Sequence, residues 1–344
     1  MNQGRTKKAK KRKTSGAKNK YGELLLDEKR IFKVAVVSTM SSGKSTLINA
    51  LAGVELLPAF NQACTAKTLA LLDNDEISSP VGHIIYEDGS YEKVLDCNKE
   101  QITVFNDGTG KPISDIVVEC DISGIHNAKT ALMLIDTPGV NNHLDTKHRA
   151  TTMKYLKQMT CGLILYLMTP DQYQGNDNDL FLREISQILE KNEGLNAIFV
   201  VNKFDRIDPS KEKPFEMMAN IADYLKSNGI KEPVIIPISA EASLLMKLAL
   251  KRVHLTESQQ DSFEKYYKKF IRQIDVGFDC RNMIWDEKVA VESEILVDDS
   301  SYRAIDLTLA LEQAGLPTLE RRIESAMLQA AHYTAPRIRK TRKV

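Results

Sequence analysis

Apolar residues in this chain come in short runs, several of them rich in valine and isoleucine. Phe32–Val37 (FKVAVV) has the composition of a buried strand. Lys44–Gly53 follows with a helical period that puts Leu47, Ile48 and Leu51 on one face. Residues 68–72 and 81–95 read as strands, with a turn at Asp88-Gly89. Further runs fall at Val117–Val118, Ala131–Ile135, Leu163–Met168, Ala197–Val201 and Val234–Ile238, most of them separated by helical patterns. This alternation predicts an α/β fold with a mostly parallel central sheet and helices on both faces. Residues 240–275 read as helix, and a last helix is expected from Pro317, with Leu319, Ile323 and Met327 at helical spacing. Residues 21–31 could form a short lead-in helix, while 276–302 show no clear period. No internal repeat is present.

Composition adds an uneven charge. The chain has 344 residues, 42% of them apolar, enough for a substantial core. Its net charge is +1, yet residues 1–20 carry nine Lys/Arg and residues 337–344 carry five, with no acid in either segment. Residues 21–336 are therefore at −13, an acidic globule between basic ends. Residues 1–20 hold almost no large apolar side chain and are expected to be a disordered tail, and 331–344 a second basic tail. Cys64, Cys97, Cys120, Cys161 and Cys280 are an odd number, widely spaced, which fits a reducing, cytoplasmic compartment rather than a disulfide framework. No apolar run is long enough to span a bilayer, and no secretory signal opens the chain.

Candidate chemistry sits at the strand ends. After the first run comes Ser38-Thr39-Met40-Ser41-Ser42-Gly43-Lys44-Ser45. It meets the GxxxxGK[ST] phosphate-loop pattern except that Ser38 replaces the first Gly. Backbone N–H groups of such a loop, from Ser41 to Thr46, surround phosphates. Gly43 allows close backbone approach, Lys44 would reach the β- and γ-phosphates, and the Ser45 hydroxyl would ligate Mg²⁺. A Gly-Lys-Ser turn merely capping a helix is the plain alternative; the flanking strand and helix argue against it.

Asn202-Lys203-Phe204-Asp205 follows the Ala197–Val201 run, at the strand edge where α/β sheets bind ligands. Asp205 could accept hydrogen bonds from guanine N1–H and N2–H₂, donors that adenine lacks. Lys203 would lie along the base, and Asn202 would tie the loop to its neighbours. Ser239-Ala240, after Val234–Ile238, would offer backbone to guanine O6. Asp136-Thr137-Pro138-Gly139 ends the Ala131–Ile135 run. Asp136 would hold Mg²⁺ through water, and the Gly139 N–H would sense the γ-phosphate. In the loop after the first helix, Thr65 is the candidate Mg²⁺ ligand, with Thr68 as the alternative. Val140 occupies the position where many GTPases place a water-orienting Gln. Another device is then needed: Ser41, a backbone group, or a partner in trans.

Taken together, Ser41–Leu51 (SSGKSTLINAL), Leu57-Pro58, Thr65, the Asp136 and Asn202 elements and Ala314–Glu320 (AGLPTLE) resemble the dynamin superfamily, especially its bacterial dynamin-like members. The resemblance covers roughly residues 32–240 and 314–328. It implies a GTPase domain over 21–330, catalysis by Ser41, Lys44 and Thr65, and Mg²⁺ held by Ser45, Thr65 and Asp136. It further implies GTP/GDP as ligands, slow hydrolysis by the lone chain, and acceleration when a homodimer forms across the nucleotide site. In the family the residue matching Ser41 helps stabilise that transition state. Ser38, Met40, Phe60 and Gln62 depart from the pattern of dynamins proper. Residues 241–313 form an extra, mainly helical segment with no role assigned. Membrane-reshaping dynamins carry a long helical stalk, whereas about 16 residues follow the closing helix here; a minimal GTPase, a fragment and a stalk supplied by another chain all fit.

The basic ends suit an anionic membrane surface, nucleic-acid phosphates, or solvation alone. No aromatic interleaves residues 1–20, so base stacking has no support there, and the family resemblance favours peripheral membrane association. Two other readings remain beside the dynamin-like one. A GTP-switched RNA- or ribosome-binding module is suggested by the basic tail. A GTP-binding scaffold with negligible hydrolysis is suggested by Met40, Val140 and the absent Gln.

Overall fold

The computed structural model describes residues 31–38, 42–58, 68–107, 110–125, 130–139, 146–208, 210–211, 213–272, 294–297 and 300–334. Ser41, Thr65 and the expected basic tail over 1–20 lie outside them, as do residues 21–30 of the expected lead-in helix.

The valine-rich first run forms β1 (Ile31–Ser38), buried along nearly its whole length. It pairs in parallel with β6 (Ala131–Asp136) and β7 (Gly162–Met168). Around this trio lie β2 (Thr68–Asp73), β3 (Val81–Tyr86), β4 (Tyr91–Val94), β5 (Ile113–Cys120), β8 (Leu195–Val201) and β9 (Val234–Pro237). They build a nine-stranded sheet in the order β4-β3-β5-β2-β6-β1-β7-β8-β9. The β1, β6, β7, β8, β9 half is parallel throughout. The other half joins it antiparallel, β2 against β6, and continues through the antiparallel β5–β3 and β3–β4 pairs. At the expected Asp88-Gly89 turn, Gly89 takes φ 81° and Ser90 N–H bonds the Asp88 carboxylate at 2.9 Å.

Alternate residues of the central strands serve opposite faces. Val34 and Val36 of β1 join one core, with Leu163, Leu165 and Leu167 of β7. Ala35 and Val37 join the other, with Ile164, Tyr166 and Met168. The first face is covered by α1 (Lys44–Ala52), α2 (Lys99–Asp107), α6 (Ala240–Leu250), α7 (Glu257–Arg272), α8 (Ala304–Gln313) and α9 (Leu316–Thr334). The second is covered by α3 (Thr146–Gln158), α4 (Asn176–Lys191) and α5 (Pro214–Ser227).

Several expectations change. Ile31 already belongs to β1 rather than to a lead-in helix. Helix α1 is buried over all of Leu47–Ala52, not on one face, because α6 packs along its outer side. The single helix expected over 240–275 breaks after Leu250. Arg252 takes φ 57°, and Thr256 and Gln259 then cap α7 reciprocally. Asn98 and Gln101 do the same for the unforeseen α2. Helix α8 lies within 241–313, the segment expected to be mainly helical, though the sequence marks no separate helix there. The indeterminate 276–302 contains β10 (Glu294–Val297), paired with β11 (Ser300–Arg303). Tyr302 anchors that hairpin, its ring edge-on to Phe263 at 5.1 Å and Tyr267 at 4.8 Å. The last helix starts at Leu316, as expected to within a residue, with Leu319, Ile323 and Met327 buried. It runs on to Thr334, past the boundary expected for the C-terminal tail.

Among the described residues no helix is long and apolar enough to cross a membrane. Cys97 and Cys120 are free and buried, and Cys161 is free and exposed.

Candidate nucleotide site

Parallel strands β1, β6 and β8 end on the same edge of the sheet, and the loops leaving them converge. Ser42 and Gly43 lead into α1, and the φ of Gly43, 89°, is left-handed. A Cβ on Gly43 would stand 2.6 Å from Asn202 Nδ2. That contact makes the second loop Gly a steric requirement as well as a conformational one.

Asn202 explains the crowding. Its Nδ2 donates to the Ser42 carbonyl at 2.7 Å, and its Oδ1 accepts from the Ala240 N–H at 3.0 Å. One buried side chain thus joins the loops after β1, β8 and β9. Lys203 next to it adopts a left-handed φ of 58°. Burial holds its ammonium below the ordinary lysine range, with nearby Arg206 adding to the effect and Asp171, Glu241 and Asp205 opposing it. Phe204 is buried and begins a single 3-10 turn. Asp205 Oδ1 accepts from the Ser239 hydroxyl at 2.6 Å. Ser239 N–H in turn bonds the Ala314 carbonyl at 2.9 Å, so the junction of α8 and α9 backs this loop.

On the phosphate side, Lys44 Nζ donates to Ser38 Oγ at 3.0 Å. The hydroxyl that replaces the first loop Gly is therefore a partner for the loop lysine. Burial pushes the Lys44 ammonium below its usual range, and Asp136 opposes that shift. Ser45 Oγ donates to Asp136 Oδ2 at 3.0 Å. The Asp136 carboxyl is held above the usual carboxylate range by burial, against the pull of Lys44 and Ser45. Its Oδ1 is buried with no hydrogen-bond partner among the described residues. A buried carboxylate oxygen left open beside a serine hydroxyl is a donor set that suits a hard divalent cation. Thr46 stands beside Ser45 in the first turn of α1. Thr137 locks the Asp136 loop by donating its hydroxyl to Val36 O at 2.7 Å. A Cβ on Gly139 would lie 3.5 Å from Lys44 Nζ, so that backbone stands against the loop lysine.

The structure thus brings together Ser42, Gly43, Lys44, Ser45, Thr46, Asp136, Gly139, Asn202, Lys203, Asp205, Ser239 and Ala240. Ser41 and Thr65 lie outside the described residues. Sequence reasoning missed two side chains of α7. Lys269 Nζ donates to the Asp205 backbone carbonyl, and Tyr266 Oη donates to Glu241 Oε2 at 2.9 Å. Nothing in a Lys/Tyr-rich helix marks these two from their neighbours.

A mostly parallel β-sheet with a Gly-Lys-Ser loop, an acidic strand end and an Asn-Lys-x-Asp loop along one edge is the fold of P-loop GTPases. Residues 34–204 match the model of the Dynamin family. The chain carries a GTPase domain of the dynamin superfamily. It is 23% identical to a bacterial dynamin-like protein of Nostoc punctiforme over 86% of this chain and 44% of that protein. It is 22% identical to dynamin-related protein 3A of Arabidopsis thaliana over 64% of this chain and 30% of that protein. An oligomerised bacterial dynamin pair, solved as a structure, aligns with 89% of this chain and 42% of that one at 14% identity, with a TM-score of 0.46. The chain matches less than half the length of both curated relatives.

Proposed function

We propose that the chain binds Mg²⁺·GTP and hydrolyses it to GDP and phosphate. The observation that carries this reading is the Asn202 bridge. By bonding Ser42 and Ala240 at once, it sets the phosphate loop and both guanine loops at a fixed separation. Asp205, oriented by Ser239, accepts the two guanine donors. Lys203 lies along the base, and the Ala240 backbone faces O6. The N–H groups of the loop and of α1, from Ser41 to Thr46, hold the β- and γ-phosphates.

Ser45 and Asp136 are the described residues that would hold Mg²⁺, joined by Thr65 from the loop after α1. When bound there, the ion would supply positive charge that neutralises the phosphates. Lys44 exchanges its Ser38 contact for the phosphates. It then neutralises charge that builds as water attacks the γ-phosphate in line with the leaving oxygen. Gly139 N–H reports the γ-phosphate. Ser41 is proposed to act in a homodimer that closes over the site, which fits the lack of a Gln after Gly139.

The domain is proposed to span residues 21–330, flanked by basic tails that attach it to anionic membrane from the cytoplasm. GTP turnover by the full chain, measured against protein concentration, tests the activity. Specific activity should rise with concentration, and Lys44→Ala should lower turnover by about a hundredfold or more. Turnover that is unaffected by Lys44→Ala would remove the reading. No GDP production from a chain that binds GTP would leave a scaffold instead.

A further inference from the structure

We infer that α7, in the extra segment between the guanine loop and the closing helix, is a positioning element for base recognition that acts through Lys269 and Tyr266. The inference rests on the guanine reading proposed above. The two residues are three apart on one helix and so share a face. Lys269 holds the loop after β8 by its Asp205 carbonyl. Tyr266 holds the first turn of α6, where the loop after β9 enters it, by Glu241 at 2.9 Å. Those loops carry the carboxylate and the backbone that would read the two sides of the base.

Both contacts are built in rather than incidental. Phe263, Tyr266 and Phe270 of α7 are buried in the main core, so the helix cannot slide along the loops without breaking that packing. Burial lowers the Lys269 ammonium from its ordinary range, while Asp205 opposes the shift. Burial, followed by Asp205 and Glu241, raises the Tyr266 hydroxyl. Asp205 needs external support because its loop is under strain: the preceding Lys203 sits at a left-handed φ of 58°. Ser239 fixes the Asp205 carboxylate, and Lys269 fixes its main chain. Neither fixes both.

Guanine and hypoxanthine separate this role from simple stability. Asp205 can accept two hydrogen bonds from guanine but only one from hypoxanthine, which lacks the 2-amino group. Misplacing Asp205 therefore erodes the preference for GDP over IDP. The experiment measures GDP and IDP affinity of the full chain, with GTP kinetics alongside, for Lys269→Met, Lys269→Arg and Tyr266→Phe. Lys269→Met should weaken GDP about tenfold and IDP much less. The kinetic loss should fall mainly on KM. Lys269→Arg, which keeps a cationic donor, should recover most of the GDP preference. Tyr266→Phe removes one oxygen and leaves the ring in place; it loosens the O6 side of the base, which guanine and hypoxanthine share, so it should weaken GDP and IDP alike by a few-fold, about as one lost hydrogen bond would, and it carries the test if Lys269→Met does not fold.

An unchanged ratio of GDP to IDP affinity in folded Lys269→Met, or unchanged affinity for both nucleotides in folded Tyr266→Phe, would overturn the inference while leaving the GTPase reading intact. So would an equal loss of both nucleotides in Lys269→Met. A wild-type chain that does not prefer GDP to ADP would instead sink the guanine reading, and the role of α7 with it.

Discussion

Both ends of the Asn202 side-chain amide are committed to backbone groups of other loops. Such a residue acts by holding geometry. Gly43 is the other half of the same contact, because its missing Cβ leaves room for Nδ2. Gly43→Ala therefore carries two penalties, a left-handed φ worth roughly 1–2 kcal/mol and displacement of Asn202. Nucleotide affinity should fall by about tenfold or more, read by titration of GDP into the folded variant. Asp205 offers a sharper chemical prediction. In Asp205→Asn, one acceptor becomes an N–H₂ donor that faces the guanine amino group. Affinity for GDP should drop by about a hundredfold or more, and xanthosine diphosphate, with a carbonyl at that position, should become the better ligand. Competition between the two diphosphates checks this directly.

At the scale of elements, a buried ion pair joins three helices. Lys247 of α6 donates to Glu320 of α9 at 2.5 Å and to the Leu51 carbonyl of α1 at 3.1 Å. Both side chains are less than a tenth exposed. Gly124 makes room for the acid, since a Cβ there would overlap the carboxylate. Removing Lys247 alone strands a buried carboxylate. Lys247→Met should cost about 3–5 kcal/mol, and Lys247→Met with Glu320→Leu much less, as measured by urea unfolding. Burial already holds the Glu320 carboxyl above its ordinary range, against the pull of Lys247. Without Lys247 the folded state binds the proton more tightly than the unfolded state does. The stability of Lys247→Met should then fall as pH rises through that elevated folded-state pKa. Its deficit should be smaller near about pH 5 than near about pH 8.

Much of the element pattern was legible in the chain itself. The β1, β6, β7 and β8 runs are buried on both faces, so they are continuous in sequence and easily seen. The helical composition of 240–275 runs through the break after Leu250, although the Thr256-x-x-Gln259 cap is written in the sequence. Helix α8 falls in the segment expected to be mainly helical, but its bounds are not written in the run. Its apolar residues Leu307 and Ala310 only make sense once α6, α7 and the hairpin of Tyr302 pack around them. The antiparallel junction of β2 with β6 carries no local signal, because direction is decided by where the chain can return.

At the scale of the whole molecule, the acidic globule and basic ends set up a salt-dependent prediction. If the tails meet anionic lipid, the full chain should bind vesicles that contain phosphatidylserine and release them as salt rises. Deleting residues 1–20 should remove most of that binding, at about 1 kcal/mol per basic residue near the surface. Binding that survives the deletion, or that appears only with RNA, would point away from the membrane.

The nucleotide-site motifs could be read from sequence alone because each is a contiguous run at a strand end. A short peptide that must wrap a phosphate or face a base is constrained residue by residue, and those constraints stay local. The supports of the site could not be read that way. Ser38 on Lys44, Ala314 behind Ser239, and Lys269 and Tyr266 on the guanine loops depend on which helix packs where. Apart from Ser38, these residues are distant in sequence from what they hold, and any Lys or Tyr on an amphipathic helix looks alike until the core chooses its face. The ligand chemistry is local and so was visible. The rigidity that makes it selective is a property of packing, and only the tertiary structure decided it.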